Sequence, residues 1–179
     1  MDNFNNFEFD LMNCSETEIN KRYGEEKAIL LIDCTEFTNN TTRDGIIKSL
    51  QSVLLIKKLI KSMQSEYSAV IIKQIGDSFM LIFDEVDYSI DFGQILIEEV
   101  KHSNIKTKVK IGIGYGFILN NDNEDIFGEQ VNFASKLGEE LAEESEMLIT
   151  RNAFRKSKYY YDALESRLYK NIEYYKLKE

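Results

Sequence analysis

The chain has 179 residues, long enough for one domain with its own core and short for two. An apolar share of 43 %, with 10 Tyr and 11 Phe, makes disulfides or a structural metal unnecessary for folding. A net charge of −9 argues against nucleic acid as the main partner, since that binding rests on Lys and Arg neutralising phosphates; it leaves room for a nucleotide accompanied by cations.

Residues 1–26 are the least periodic part and read as an N-terminal arm or lid of unknown role, a dimer arm, or a frayed end. Residues 27–179 read as a single domain, with no proline and no Gly/Ser-rich run to mark a linker. Residues 28–34 (AILLIDC) form a short apolar run expected to be a buried strand. Residues 45–63 carry Ile46, Leu50, Val53, Leu54, Ile60 and Met63 at helical spacing. Residues 69–75 and 78–83 are two strands meeting in a tight hairpin at Gly76-Asp77. A helix is expected over 86–103, and a long strand over 108–119 with Val109, Ile111, Ile113, Tyr115 and Phe117 on one face. The other face of that strand is bare at Gly112, Gly114 and Gly116, which lets a neighbouring element pack close. A third helix over 126–142, a strand over 147–150 and strand pairs in the tail at 159–177 complete the pattern. The order β-α-β-β-α-β is the ferredoxin-like arrangement, an α+β sandwich with C-terminal additions.

That order sets the end of the first strand beside the central hairpin, so Asp33 and Asp77 can reach one point. Two hard carboxylates there suit Mg²⁺ or Mn²⁺, which keep water and phosphate as further ligands. The alternative is that Asp33 caps the next segment and Asp77 is an ordinary turn residue. The polar stretch 35–44 (TEFTNNTTRD) before a helix N-terminus suits a triphosphate, or is simply a loop with a good cap. Lys73 is the one charge in AVIIKQI, placed by alternation with Ile71 and Ile75, and either snorkels at a sheet edge or points into a site; pattern favours snorkelling. Asn132 and Lys136 share one face of the third helix. The single His102 gives little support to a histidine site, the three spaced glycines lack the dinucleotide fingerprint, and the acidic cluster from Glu139 to Glu146 reads as a solvated helix face. Cys14 and Cys34 have neither zinc-type spacing nor pairing logic, which points to a reducing, cytoplasmic setting. No run approaches the roughly 20 apolar residues of a membrane span, and MDNFNNFEFD is too acidic for a leader, so no membrane association is expected.

Taken together, these segments resemble the class III nucleotidyl cyclases over about residues 27–155. LLIDCTEFT is similar to the family's first metal-binding strand, F-x-D-I-x-G-F-T, with Asp33 at the aspartate and Phe37 and Thr38 matching; Glu36 replaces the usual glycine. IIKQIGDSFMLIF resembles the family hairpin, with Asp77 at the second metal aspartate, and KIGIGYG the strand that follows. DIFGEQVNFASKLGEELAEESEMLIT resembles D-x-x-G-x-x-V-N-x-A-S-R-L followed by A-x-x-G-E-I-L-V-S.

The resemblance implies two Mg²⁺ or Mn²⁺ ions on Asp33 and Asp77, and base selection by Lys73 and Asp125. Lysine with aspartate is the pairing associated with adenine, where Lys73 donates to N1 and Asp125 accepts from the exocyclic amine. Asp125 also suits a helix N-cap. Asn132 matches the ribose-orienting asparagine. Lys136 stands where the family has a transition-state arginine; it keeps the charge but loses the two-pronged donation to phosphate, which implies a slower or altered enzyme. Lys170 is the candidate for the late triphosphate-binding lysine. The implied activity is conversion of a nucleoside triphosphate, ATP first, to the 3′,5′-cyclic nucleotide and pyrophosphate. The implied assembly is a head-to-tail homodimer with two equivalent sites, each with metal aspartates from one chain and base and ribose contacts from the other. The alternatives are a cyclase of another nucleotide, pyrimidine or GTP, in a signalling or defence role, and a non-catalytic nucleotide- or partner-binding domain.

Overall fold

The structure is a computed structural model. It describes residues 6–35, 37–161, 163–170 and 172–177, with the side chains of 37–40, 160–161 and 163–164 outside the description. In chain order the elements are α1 (Asn6–Asn13), α2 (Glu16–Tyr23), β1 (Gly24–Cys34), α3 (Phe37–Asp44), α4 (Ile46–Met63), β2 (Val70–Ile75) and β3 (Ser78–Phe83). There follow α5 (Val86–His102), β4 (Val109–Asn121), β5 (Asp125–Phe127), α6 (Glu129–Lys136), a π-helical turn (Leu137–Leu141), β6 (Met147–Thr150), α7 (Arg151–Lys156), β7 (Ala163–Tyr169) and β8 (Ile172–Leu177).

Among the described residues the strands make one eight-stranded sheet in the order β2-β3-β1-β4-β6-β8-β7, with β5 paired to β4 off that path. The β2-β3-β1-β4 half is the expected ferredoxin-like arrangement, and the β7–β8 hairpin is the C-terminal addition. β1 is central, antiparallel to β3 on one side and to β4 on the other. Both its faces are covered, which is why 28–32 is a continuous apolar run instead of an alternating one.

Alternation along the strands sorts two cores. Ala28, Leu30, Ile32 and Cys34 pack with Val53, Ile56 and Ile60 of α4 and with Ile90, Phe92 and Leu96 of α5. Ile29 and Leu31 face the other way, with Met80, Ile82, Ile118, Val131 and Ala134, under α6. The bare face of β4 makes that second layer possible. A Cβ on Gly112 would stand 2.1 Å from the Ala134 carbonyl, and one on Gly114 would stand 2.5 Å from that of Gln130. Gly76, at φ +60°, turns the β2–β3 hairpin.

Four local expectations change. The polar stretch 35–44 is mostly helix, as α3. The third helix is not continuous over 126–142: Ile126 and Phe127 are strand, and the helix widens to a π turn after Lys136. A β-bulge between Ile71 and Lys73 breaks the alternation, so Lys73 lies opposite Met80 on the α6 face while Ile71 lies opposite Leu81 on the other. The acidic cluster is not uniformly solvated, because Glu146 is buried and paired with Lys176 at 3.0 Å. No helix among the described residues is long and apolar enough to cross a membrane.

Candidate active site

Asp33 follows Ile29 and Leu31 in the period-2 pattern of β1, so its carboxylate emerges on the α6 face at the strand's end. In the sheet register it lies opposite Ser78 on β3 and opposite Lys110 on β4. Both neighbours hold it: the Ser78 hydroxyl donates to Oδ1 at 2.9 Å, and Lys110 Nζ lies 2.9 Å from Oδ2. Lys110 also donates to the Glu139 carbonyl at 2.7 Å, which ties the π turn to the sheet. Asp77, in the hairpin one residue before Ser78, is half-buried. Burial raises its carboxyl above the usual range, and the negative charge of Asp33 adds to the effect. Glu139 is raised in the same direction, by desolvation and then by Asp33.

No group of three or more His, Cys, Asp or Glu side chains is arranged to hold a metal among the described residues. The donor set is therefore two aspartates with like charges facing each other. The Asp77 carboxyl, raised by burial and by the charge of Asp33, fits beside Asp33 a small hard divalent cation, which would offset that cost and complete its shell with water or phosphate.

Beside this pair, on the same face, opens a cleft of about 360 Å³. Leu31, Met80, Ile126 and Val131 give it apolar walls, and Lys73, Asp125 and Asn132 line it with polar groups. Ser78 and Glu139 also line it, so the cleft runs up to the aspartate pair. Lys73 Nζ lies 2.5 Å from Asp125 Oδ1, which also accepts from the Ile126 amide at 2.7 Å. Lys73 is thus turned into the cleft and does not snorkel. Asp125 opens β5 and does not cap α6, whose N-cap is Gly128.

Lys136 is placed differently. It pairs with Glu140 one helical turn on and lies over the Tyr169 ring, 5.4 Å from its centroid. Lys170, in the β7–β8 turn at φ +53°, approaches the same ring at 5.5 Å. The two lysines are brought together around Tyr169, and neither lines the cleft. Phe37 and Thr38 begin α3, but their side chains lie outside the described residues. Sequence reasoning missed Lys110 and Ser78; a charge on an otherwise apolar, glycine-bearing strand was the available signal for Lys110.

Comparisons with known proteins give the family and the fold. The profile of the family described as adenylate and guanylate cyclase catalytic domain matches residues 19–173. The chain belongs to that family, the class III nucleotidyl cyclases. Among solved structures, the guanylate cyclase domain of RhGC from Catenaria anguillulae in complex with GTP superposes with a TM-score of 0.74 at 17 % identity, covering 86 % of this chain and 96 % of that one. The adenylyl cyclase CyaB from P. aeruginosa gives 0.68 at 16 % identity, over 87 % and 96 %. A non-canonical dimeric guanylyl cyclase domain of the RhoGC fusion protein from the aquatic fungus Blastocladiella emersonii gives 0.72 at 15 %, over 86 % and 96 %. Among curated protein sequences, none matches the chain.

Proposed function

We propose that the protein is a nucleotidyl cyclase that converts a nucleoside triphosphate, ATP first, to its 3′,5′-cyclic nucleotide and pyrophosphate. The observation that carries this reading is the Lys73–Asp125 pair, set in one cleft with Asn132 and next to Asp33 and Asp77. Asp125 Oδ1 is engaged by Lys73 and the Ile126 amide, which leaves Oδ2 to accept from an exocyclic amine. Lys73 keeps further donors for the adjacent ring nitrogen. Leu31, Met80 and Val131 supply the apolar surface on which a base lies.

Asn132 orients the ribose so that its 3′-oxygen faces the α-phosphate. Asp33 and Asp77 hold Mg²⁺ or Mn²⁺, two ions per site. When bound, these lower the pKa of the attacking hydroxyl and neutralise charge on the triphosphate. Lys136 and Lys170 supply positive charge to the phosphates as point charges; Lys136 lacks the fork of an arginine. A head-to-tail homodimer is the assembly that fits this reading, each site taking its metal aspartates from one chain and its base and ribose contacts from the other. Exposed Ile75, beside the Gly76-Asp77 hairpin, offers apolar surface for that contact. The free thiols of Cys14 and Cys34 suit a cytoplasmic setting.

A second reading has its own support. Cytosine presents the same acceptor-beside-amine edge as adenine, so the Lys73–Asp125 pair accommodates CTP as well. Incubation with each of the four triphosphates and Mn²⁺, with products identified by mass, separates the two. A cyclic product from none of them overturns the enzyme reading and leaves a nucleotide-binding domain.

A further inference from the structure

β5, the strand that carries Asp125, is a short part of the cleft wall. It spans three residues, pairs with β4 through Leu119↔Phe127, Asn120↔Ile126 and Asn121↔Asp125, and buries Ile126 in the core under α6. The turn leading into it holds Asp122 and Asn123 at φ 49° and 62°, left-handed conformations that aspartate and asparagine adopt more readily than other residues with a side chain. Side chains close that turn: the Asn120 amide donates to Asn123 Oδ1 at 2.9 Å and accepts from the Asn123 backbone amide at 2.9 Å.

The other support comes from outside the sheet. Phe7 of α1 is buried, and its ring stacks on that of Phe127 with centroids 5.5 Å apart and planes at 9°. Its other contact is an edge-to-face approach to Tyr23 at 4.8 Å. Tyr23 ends α2 immediately before β1, so Phe7 is wedged between the root of the central strand and the wall of the cleft, which Phe127 itself lines. α1 is held in that position by Asp10, which accepts from Arg22 at 2.6 Å and from the Tyr23 hydroxyl at 2.8 Å. The reversal between the helices is set by Ser15: its hydroxyl accepts from the Glu18 amide at 3.4 Å while Glu18 accepts from the Ser15 amide at 2.9 Å, a capping box that starts α2. α1 lies outside the residues that match the family, 19–173.

We propose that Phe7 is a positioning residue for nucleotide selection: α1 props β5 from outside, and the Phe7–Phe127 stack keeps Asp125 in reach of Lys73 and the base. The proposal rests on the cleft being a nucleotide site. It gives residues 6–13 a defined task, and it makes the base-selecting end of the cleft sensitive to a helix that never touches the ligand.

The test uses the full chain, with 3′-deoxyATP and 3′-deoxyGTP, which lack the hydroxyl needed for cyclisation. Dissociation constants are measured by calorimetry with Mn²⁺, and amide exchange at residues 125–127 is measured on the ligand-free protein. Phe7→Ala is expected to weaken 3′-deoxyATP by roughly fivefold, to narrow its preference over 3′-deoxyGTP, and to speed exchange at Ile126 and Phe127. Phe7→Leu, which keeps an apolar plug without the ring, is expected to restore the thermal midpoint and only part of the affinity; it serves as the test variant if Phe7→Ala does not fold. A lowered midpoint with unchanged dissociation constants and unchanged exchange at β5 overturns the proposal and leaves Phe7 a packing residue. Absence of binding by the wild-type protein overturns the nucleotide reading and the selective role together. In that case the exchange data still show whether α1 supports β5, so the two failures are distinguishable.

Discussion

Two lysine–aspartate pairs, Lys73–Asp125 lining the cleft and Asp33–Lys110 beside it, are built in different ways. Asp33 and Lys110 face each other across directly paired central strands, and each side chain is 18 % exposed. Lys73 and Asp125 join a bulged edge strand to a three-residue strand off the main sheet, at 28 % and 34 %. The first pair inherits its geometry from the sheet register and cannot move without it. The second depends on a bulge, a turn closed by side chains and an aromatic stack, so its geometry can be changed from outside. Rigid placement suits the end that would hold phosphate and metal, whose chemistry is the same for every nucleotide. The adjustable end is where, under the proposed function, one base would be told from another.

The largest effect is expected from breaking the rigid end. Asp33→Ala removes one of two carboxylates and should lower turnover by on the order of a thousandfold or more, the several kcal/mol attributed to metal-assisted charge stabilisation. Because Ile29, Leu30, Leu31 and Ile32 remain buried on both faces, far-UV circular dichroism should be unchanged. Loss of turnover with loss of the spectrum would instead mean that Asp33 is a folding residue.

Breaking the adjustable end should cost less and change selection. Lys73→Ala removes a charged donor and leaves Asp125 without its cation, so the KM for ATP should rise about tenfold to a hundredfold. The preference among triphosphates should collapse while kcat falls less than KM rises. An equal fall in kcat for all four nucleotides, with KM unchanged, would take Lys73 out of base recognition.

The same contrast explains what was legible in the sequence. The central strand, the hairpin and the long helices α4 and α5 follow from apolar periodicity, because each buries a full face and the pattern records it. Asp33 and Asp77 were placed by element order alone. The face of Lys73 was not legible, because a bulge inserts one residue and reverses every later side chain, and nothing in AVIIKQI marks it. β5 was absorbed into the following helix because Ile126 and Phe127 continue its apolar pattern, and only Gly128, the N-cap, separates them. The helix α3 was missed because FTNNTTRD has polar residues in place of an apolar stripe. The N-terminal helices carried a readable signal in Ser15 and Glu18, the capping-box spacing, that went unused. Lys110 needed the register, since its partner lies 77 positions away across the sheet.

A smaller effect should follow from neutralising Lys110. Its ammonium compensates Asp33 and anchors the Glu139 carbonyl. Lys110→Gln keeps a donor for the carbonyl but removes a positive charge close to the aspartates, so Mn²⁺ should bind roughly fivefold more tightly, equivalent to about 1 kcal/mol of relieved repulsion. Electron paramagnetic resonance of free Mn²⁺ measures this without turnover. Weaker Mn²⁺ binding in the variant would mean that Lys110 organises the aspartates more than it opposes the cation.

The smallest expected effect lies farthest from the chemistry, at the latch that holds α1. The Tyr23 hydroxyl first, and the Arg22 guanidinium next, lower the carboxyl of Asp10 below the usual aspartate range. A carboxyl lowered in the folded state contributes stability that is fully present above its unfolded value, near pH 4, and that is lost as pH falls further through the folded value. Asp10 itself is half-buried but its partner Arg22 is exposed, so solvent screens the interaction, and Asp10→Asn should lower the thermal midpoint by about 2 °C or less at neutral pH. That difference should stay constant from pH 7 to 5 and close below pH 4, as the wild-type carboxyl itself becomes neutral. High salt should shrink it, because the exposed Arg22 guanidinium leaves the pair open to screening. If α1 is the strut for β5, the variant should also speed exchange at Ile126 and Phe127 in the same pH range where the midpoint differs. A midpoint difference that persists unchanged to pH 3 would mean that asparagine disturbs α1 by its shape, and that charge is not what holds the helix against the cleft wall.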